Sequence, residues 1–514
     1  MSPDADDDGA AGGVVSTAIA PHESAPHAEK GSRIRLVRGG AILLEADGFR
    51  LIEPRGLHRS PLHPYASLTH VCLAARALLI GTTSGLLAVR NRDFVDPENG
   101  PAGARDALIQ RVAESRGGAD QLRAMAHVEA LSAQKRRLWA IWTTAALCFL
   151  GTAFQLRDPL IDQIGSFVPV LFSRGEIWRG ITAHFLHALP EEPGPLDSWI
   201  PGFRGVPIHL AINVAGLFVL GPLVERPLGS WRTAIVLVLG GVGTVAGILI
   251  AGHSEVIGAS GLVAALAGAI LALELHYPAS LPCDWRLPRR LFLIAIGVQF
   301  ALIDPLFRSV LAGGAHLGGF AGGYVAAWWL GAPARAAHPV ALRLRLVALG
   351  GLASVVAGAL GIVPLARHDP AALERHAARL LNTPPDVHLY PHENAAAWFI
   401  ATEDADSPAG LELAIALADR AVATTERMHP GVLDTLAEAL FQSGNRLGAI
   451  LTIEEAIRLV PDDPYFMEQR RRFTGERDAD DRPPPPGSTS PDGSPDDDEQ
   501  APLPIDPEAP QLTT

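Results

Sequence analysis

Chemistry in this chain can be organised around Ser260. It lies in Val256-Ile257-Gly258-Ala259-Ser260-Gly261, bracketed by small residues at the mouth of an apolar run that stays uncharged until Glu274. A lone serine in such a run does no more than hydrogen-bond its own helix. Its surroundings change the reading. One other apolar segment carries His209 with Asn213, and another carries His316. Titratable groups at membrane depth are costly and mark functional sites. A hydroxyl near an imidazole, with hydrogen-bond donors at hand, is the minimal outfit for acyl transfer. In that chemistry His316 takes the proton of Ser260 as the oxygen attacks a peptide carbonyl, then gives it to the leaving amine. The backbone N–H of Ser260 at a helix start, with the side chains of His209 and Asn213, would stabilise the oxyanion. His209 and Asn213 are four apart and therefore share one helix face.

Whether these groups can meet depends on the segments that carry them. Apolar stretches at about 138–154, 208–224, 233–251, 257–275, 291–307, 315–331 and 346–366 are each close to the ~20 residues that a bilayer helix requires. The expectation is an α-helical membrane protein with seven spans. Residues 159–190 are also apolar but are broken by Asp162, Pro169, Arg174, Glu176 and Arg179, and read as a loop at the interface. Basic residues flank the spans on one side: Lys135, Arg136 and Arg137, then Arg226 and Arg232, then Arg286, Arg289 and Arg290, then Arg335, Arg343 and Arg345. That side is the cytoplasm, so the N-terminus is expected inside and the C-terminus outside. The loop between the first two spans, with Arg157, Arg174, Arg179 and Arg204, runs mildly against this assignment. With this topology His209, Asn213, Ser260 and His316 all enter from the outer surface, within two turns or ~5–10 Å of it. Asp304 reads as an interfacial helix end.

The flanks differ in character. Hydrophobic residues make up 48% of the chain and fill its middle, while the net charge of −13 comes largely from acidic tails. Residues 1–32 and 477–514 read as disordered, and no basic surface points to nucleic acid. Residues 33–118 hold short β-type runs punctuated by Gly39-Gly40, Asp47-Gly48 and Ser84-Gly85, followed by a helical stretch near Asp106. This order resembles a bacterial pleckstrin-homology-like domain. Residues 119–137 form a polar helical connector, and 367–390 a linker. Over 391–476, Leu433, Leu436, Ala437, Leu440, Gly444, Ala449, Ile453, Ala456 and Pro461 have spacings that resemble a tetratricopeptide repeat, a surface suited to a protein partner. Cys72, Cys148 and Cys283 lie far apart, so neither a disulfide framework nor a zinc site is indicated. His184 and His187 lack an acidic partner at zincin spacing, and His392-Glu393 lacks the second histidine; no metal or other cofactor is expected. No basic stretch followed by an apolar one marks a cleavable leader, which leaves insertion to the internal spans.

Five motifs in order now resemble the rhomboid family of intramembrane serine proteases. Gly258-Ala259-Ser260-Gly261 is similar to its G-x-S-G nucleophile motif, and His209 to Asn213 to its H-x-x-x-N. Ala315-His316-Leu317-Gly318-Gly319 with Gly322 is similar to its sixth helix, and Glu176 to His187, with Trp178 and Arg179, to its W-R loop. Gly221-Pro222-Leu223-Val224-Glu225 with Gly229 is similar to the end of its second helix. The resemblance covers about residues 138–335. It implies a six-helix core with one added C-terminal helix, and a Ser–His dyad without an acid. It also implies cleavage of other membrane proteins' transmembrane segments near their outer end. Two departures stand out. Residues 188–208, with Pro190, Pro193, Pro195 and Pro201, lengthen a loop that is short in the family, and Ala264 stands where the family often stacks an aromatic ring on the base. Two other readings remain: a rhomboid-like factor that binds or dislocates membrane proteins without cutting them, and a solute transporter. The first needs neither Ser260 nor His316, and the second predicts paired repeats that the sequence lacks.

Overall fold

A computed structural model describes residues 32–53, 59–132, 137–158, 160–189, 208–282, 285–307, 311–331, 340–403 and 407–483. Both tails, and nearly all of the long loop expected at 188–208, lie outside the described residues. The described chain divides into two compact units, one of residues 32–137 with 273–295, the other of 138–272, 296–330 and 340–483.

The first unit holds two antiparallel sheets. Strands β1 (Arg33–Arg35), β2 (Ala41–Leu44), β3 (Gly48–Ile52) and β4 (His63–Pro64) follow one another in the first sheet; β5 (Leu68–Ala74), β6 (Ala77–Thr82) and β7 (Gly85–Arg90) form the second. Strand β4, only two residues and ending in proline, has no period for a sequence to show. Ile42, Leu44, Phe49, Leu78 and Ile80 face a common core closed by Leu108 and Val112 of the helix Gly100–Glu114. In the same unit Arg286 reaches the sheet, donating from Nη1 to Thr69 Oγ1 at 3.4 Å and to the Thr82 carbonyl at 3.3 Å, while its charge is met by Glu274 at 3.2 Å.

The second unit is helical. Among the described residues four helices are long and apolar enough to cross a membrane: Trp139–Arg157, Ile208–Leu228, Ser230–Ala251 and Leu342–Ala366. The other three expected spans depart from that form, each in its own way. The serine helix runs Ser260–His276 and starts at Ser260 itself rather than at 257, because Gly258 takes a φ of +116° that no continuing helix tolerates. The histidine helix is Gly313–Leu330. Between them Arg289–Val298 continues through a π-helical stretch, Gln299–Ile303, into a last turn, Asp304–Leu306.

Lipid tails give helices no hydrophobic reason to associate, so close backbone packing must hold them. The histidine helix is wedged between its two neighbours along a seam of small residues. A Cβ on Gly319 would collide with the Gly261 carbonyl, and one on Gly323 with that of Ala265; Gly318 lies equally close to Gly243. Glu225, a buried residue of the second helix, uses its carboxylate to receive the N–H groups of Ala140 at 2.9 Å and Ile141 at 3.0 Å, which caps the first helix.

Among the described residues beyond Ala366 six further helices follow, Pro370–Leu381, Tyr390–Glu403, Pro408–Thr424, Pro430–Gln442, Arg446–Leu459 and Pro464–Thr474. The first lies within the stretch expected as linker. Asp369, Ser407, Asn445 and Asp463 each cap a helix through the side chain. Leu433, Ala437, Ala449, Ile453 and Ala456 are fully buried between the paired helices, as their spacing requires. This core is not separate. Leu160, Ile161, Ile164, Leu171 and Leu186 of the loop after the first span belong to the same apolar cluster as Leu373, Ala397 and Leu417.

The seam has a measurable cost if filled. Gly323→Leu is expected to lower stability by ~1–3 kcal/mol, as overpacking does. Gly350→Leu, on the helix Leu342–Ala366 where no atom lies within 4 Å of the new Cβ, should leave it unchanged. Thermal unfolding of the two variants in detergent checks this, and equal behaviour would contradict the packing described.

Candidate active site

Ser260 and His316 meet. Ser260 Oγ lies 2.9 Å from His316 Nε2, across two helices and 56 residues of sequence. The helix start puts the serine N–H among the first four, which have no partner inside their helix. His209 and Asn213 stand over Gly258: a Cβ there would lie 2.8 Å from His209 Nε2 and 3.7 Å from Asn213 Nδ2. Only glycine therefore fits, both for its φ and for the imidazole above it. Asn213 is buried and donates one N–H to the His209 carbonyl at 2.9 Å, while its amide carries a second N–H. His209 Nδ1 accepts from the Ala188 N–H at 3.2 Å. Gly261 is excluded from carrying a side chain by Thr244. A cavity opens beside the serine, lined by Phe167, Gly180, His184, Thr244, Ile248, Gly258, Ser260 and Ala315.

One residue near this pair was not anticipated as part of it. Asp304, expected as an interfacial helix end, lies with Oδ1 2.9 Å from His316 Nδ1. Both side chains are buried. The π-helical stretch before Asp304 explains the placement. Its wider turn brings residues five apart together, so that Gln299 Nε2 donates to Asp304 Oδ1 at 2.8 Å. An α-periodic reading of the fifth span gives no such pairing; the one available sequence signal was an ionisable residue within an apolar stretch.

Trp178 and Arg179 do not touch the serine; they hold the loop that supports it. Trp178 Nε1 donates to the Ile164 carbonyl at 3.0 Å. Arg179, fully buried, donates from Nη1 to the carbonyls of Gln163 at 2.9 Å and Ser166 at 2.8 Å, and pairs through Nε with Glu176 Oε2 at 2.6 Å. Phe167 then exchanges two backbone hydrogen bonds with Val256, at 2.9 and 3.0 Å, and the Gly258 N–H donates to the Ala183 carbonyl at 2.8 Å. The loop thus fixes the turn from which the serine helix starts. Gly319 packs on Gly261, while Glu225 is remote from the chemistry.

Glu176 also receives His376 Nδ1 at 2.8 Å and faces Arg379 at 3.5 Å, both from the helix Pro370–Leu381. His392 donates from Nδ1 to the Gln163 carbonyl at 3.1 Å. Burial by itself would raise the Glu176 pKa, but the hydrogen bond and charge of His376 and the charge of Arg179 outweigh it and hold the carboxyl at about 2.

The family model described as Rhomboid domain matches residues 205–333. The curated Rhomboid protease GluP of Bacillus subtilis (strain 168) is 29% identical over 170 residues, which is 32% of this chain and 28% of that protein. This chain therefore spans well under half the length of the relative it matches. No solved structure matches the chain.

Removing the Glu176 charge strands Arg179 in the interior. Glu176→Gln is expected to cost ~3–5 kcal/mol, the usual penalty for breaking a buried pair, and to loosen the C-terminal helices, read as faster proteolysis near Arg367. Because its folded pKa lies below its ordinary 4.5, Glu176 contributes fully above that value and loses its contribution as pH falls through about 2. Proteolysis of the wild type should accelerate across this window, and Glu176→Gln should show a weaker dependence there.

Proposed function

We propose that this integral membrane protein, whose residues 205–333 match the Rhomboid domain, is a serine endopeptidase of the rhomboid family cutting transmembrane segments of other membrane proteins. The observation that carries this reading is the 2.9 Å bond between Ser260 Oγ and His316 Nε2 beside a cavity. A purely scaffolding or dislocating role requires neither residue.

In the proposed reaction His316 Nε2 removes the Ser260 proton as Oγ attacks the scissile carbonyl carbon. The negative oxygen is met by the Ser260 N–H, Asn213 and His209. The C–N bond then breaks, and the proton on Nε2 passes to the departing amine. A water molecule, deprotonated by the same nitrogen, attacks the acyl-enzyme and releases the new carboxylate and the serine. Substrates must offer extended backbone to the serine, so segments with glycine or other helix-weak residues are favoured.

The site opens to the outer face in this reading, with the N-terminus in the cytoplasm and the C-terminus in the periplasm of a bacterial inner membrane. Parity supports it. The C-terminal helices follow the last span and pack against loop 160–187, which follows the first, as segments on one side of a bilayer can. The first unit joins residues before the first span to 273–295, which follow the fourth. The N-terminal β region is proposed as a pleckstrin-homology-like module and the C-terminal helices as a tetratricopeptide-like one. Pro430 and Pro464 begin helices about 34 residues apart, the spacing of that repeat. The face of that module turned away from the loop is proposed to receive a protein partner.

Reconstituted protein should cleave a transmembrane substrate, and both Ser260→Ala and His316→Ala should reduce the rate by at least ~10³-fold. An alkyl fluorophosphonate should label the wild type at Ser260 and neither variant. Cleavage surviving in Ser260→Ala would overturn the assignment.

A further inference from the structure

We infer that Asp304 is a positioning residue for His316, fixing the tautomer and the direction of the imidazole so that Nε2 faces Ser260. The inference rests on the reading of Ser260 as nucleophile and His316 as base.

Three observations carry it. First, the geometry is linear in role: Asp304 Oδ1 to His316 Nδ1 at 2.9 Å, His316 Nε2 to Ser260 Oγ at 2.9 Å. An ionised carboxylate only accepts, so Nδ1 carries the ring proton and Nε2 presents its lone pair to the serine. Second, Asp304 is 5% exposed and, among the described residues, its one ion-pair partner is His316. Burying a carboxylate is costly, and here it gains a charged partner when the imidazole takes the serine proton. Third, the carboxylate is itself aimed. Gln299 holds the same Oδ1 at 2.8 Å across the π-helical turn, and Gly313, at the start of the histidine helix, comes so close that its Cβ would lie 3.2 Å from that of Asp304. An α-helical continuation would carry the side chain off this face. The neighbouring titratable groups on the packed elements are His209 on the second helix and His253 on the segment before the serine, and neither supplies an acid.

The test uses the full-length protein in proteoliposomes with Asp304→Asn, Asp304→Ala and Gln299→Leu. In both Asp304 variants kcat should fall by ~10²-fold or more while KM changes less than about threefold, and the acidic limb of the kcat–pH profile should move to lower pH. Asp304→Glu should recover part of the rate. Gln299→Leu should shift the profile in the same direction by less. Because Asp304→Ala leaves a void, thermal unfolding is measured alongside, and Asp304→Asn, nearly isosteric, decides if Asp304→Ala fails to fold. A wild-type rate and profile in Asp304→Asn would overturn the inference, as would a rate loss with an unmoved profile. NMR of 13C-labelled histidine in a Ser260→Ala background reads the tautomer of His316 without proteolysis. The ring-carbon signals of the Nδ1–H tautomer are expected there and should change in Asp304→Asn, and signals unchanged by that substitution would refute the pairing even if the protein proved to cut nothing. Absence of cleavage in the wild type would instead refute the protease reading.

Discussion

Everything at the serine depends on two helix backbones coming close enough for their short polar side chains to touch. A hydroxyl on Cβ and an imidazole two bonds further out span little distance, and the helices that carry them must nearly meet. Inside a bilayer the apolar residues of neighbouring helices gain nothing from one another that lipid does not offer. What remains is intimate van der Waals contact, available only where side chains are absent or small. Gly319 against Gly261, Gly323 against Ala265 and Gly318 against Gly243 provide it. The cost is that the seam itself carries no bulky side chain with which to lock the rotation of the histidine helix. Its orientation is set by its neighbours, and by the polar groups at its start: the Gly314 N–H donates to His253 Nε2 at 3.3 Å, and His316 itself faces Asp304.

The turn that launches the serine helix is held by the loop after the first span rather than by the helices alone. A continuous chain of polar contacts runs from His376 and Arg379 through Glu176 and Arg179 to the carbonyls of Gln163 and Ser166. From there the Phe167–Val256 bridge leads to Gly258. Burying so many charged groups would be unfavourable piecemeal. Complementary partners and satisfied carbonyls make the set tolerable, and they also make each member dependent on the others. The apolar cluster shared by Leu171, Leu186 and the C-terminal helices seals the arrangement from one side.

How much of this a reader of the sequence alone could foresee varies with the physics. The long helices were plain, since a bilayer demands unbroken apolar stretches, and the meeting of Ser260 with His316 followed from entry on one surface and from motif order. The β strands of the first unit were visible by alternation, except His63–Pro64, too short to alternate. Helix starts at 260 and the π-helical stretch at 299–303 were invisible, because both are decided by a single backbone conformation and by tertiary contacts rather than by period. Asp304 reads as a helix end and lies in the last turn Asp304–Leu306, but its pairing with His316 is invisible for the same reason: five residues from Gln299, it belongs to no α-helical face shared with it. The union of the C-terminal helices with the early loop had no local signature at all. His376 and Glu176 are 200 residues apart, and nothing short of the fold connects them.

That separation has a consequence for biogenesis. Ribosomes deliver roughly 5–20 residues each second, so the loop bearing Glu176 emerges ~10–40 s before the helix that completes its charge set. Late in that interval, once residue 316 is made, every group assigned to the chemistry at Ser260 and His316 has been synthesised, while the platform beneath the serine still lacks its outer clamp. A chain interrupted between residues 316 and 376 therefore carries Ser260, His316 and Glu176 but neither His376 nor Arg379 to complete the charge set around Glu176.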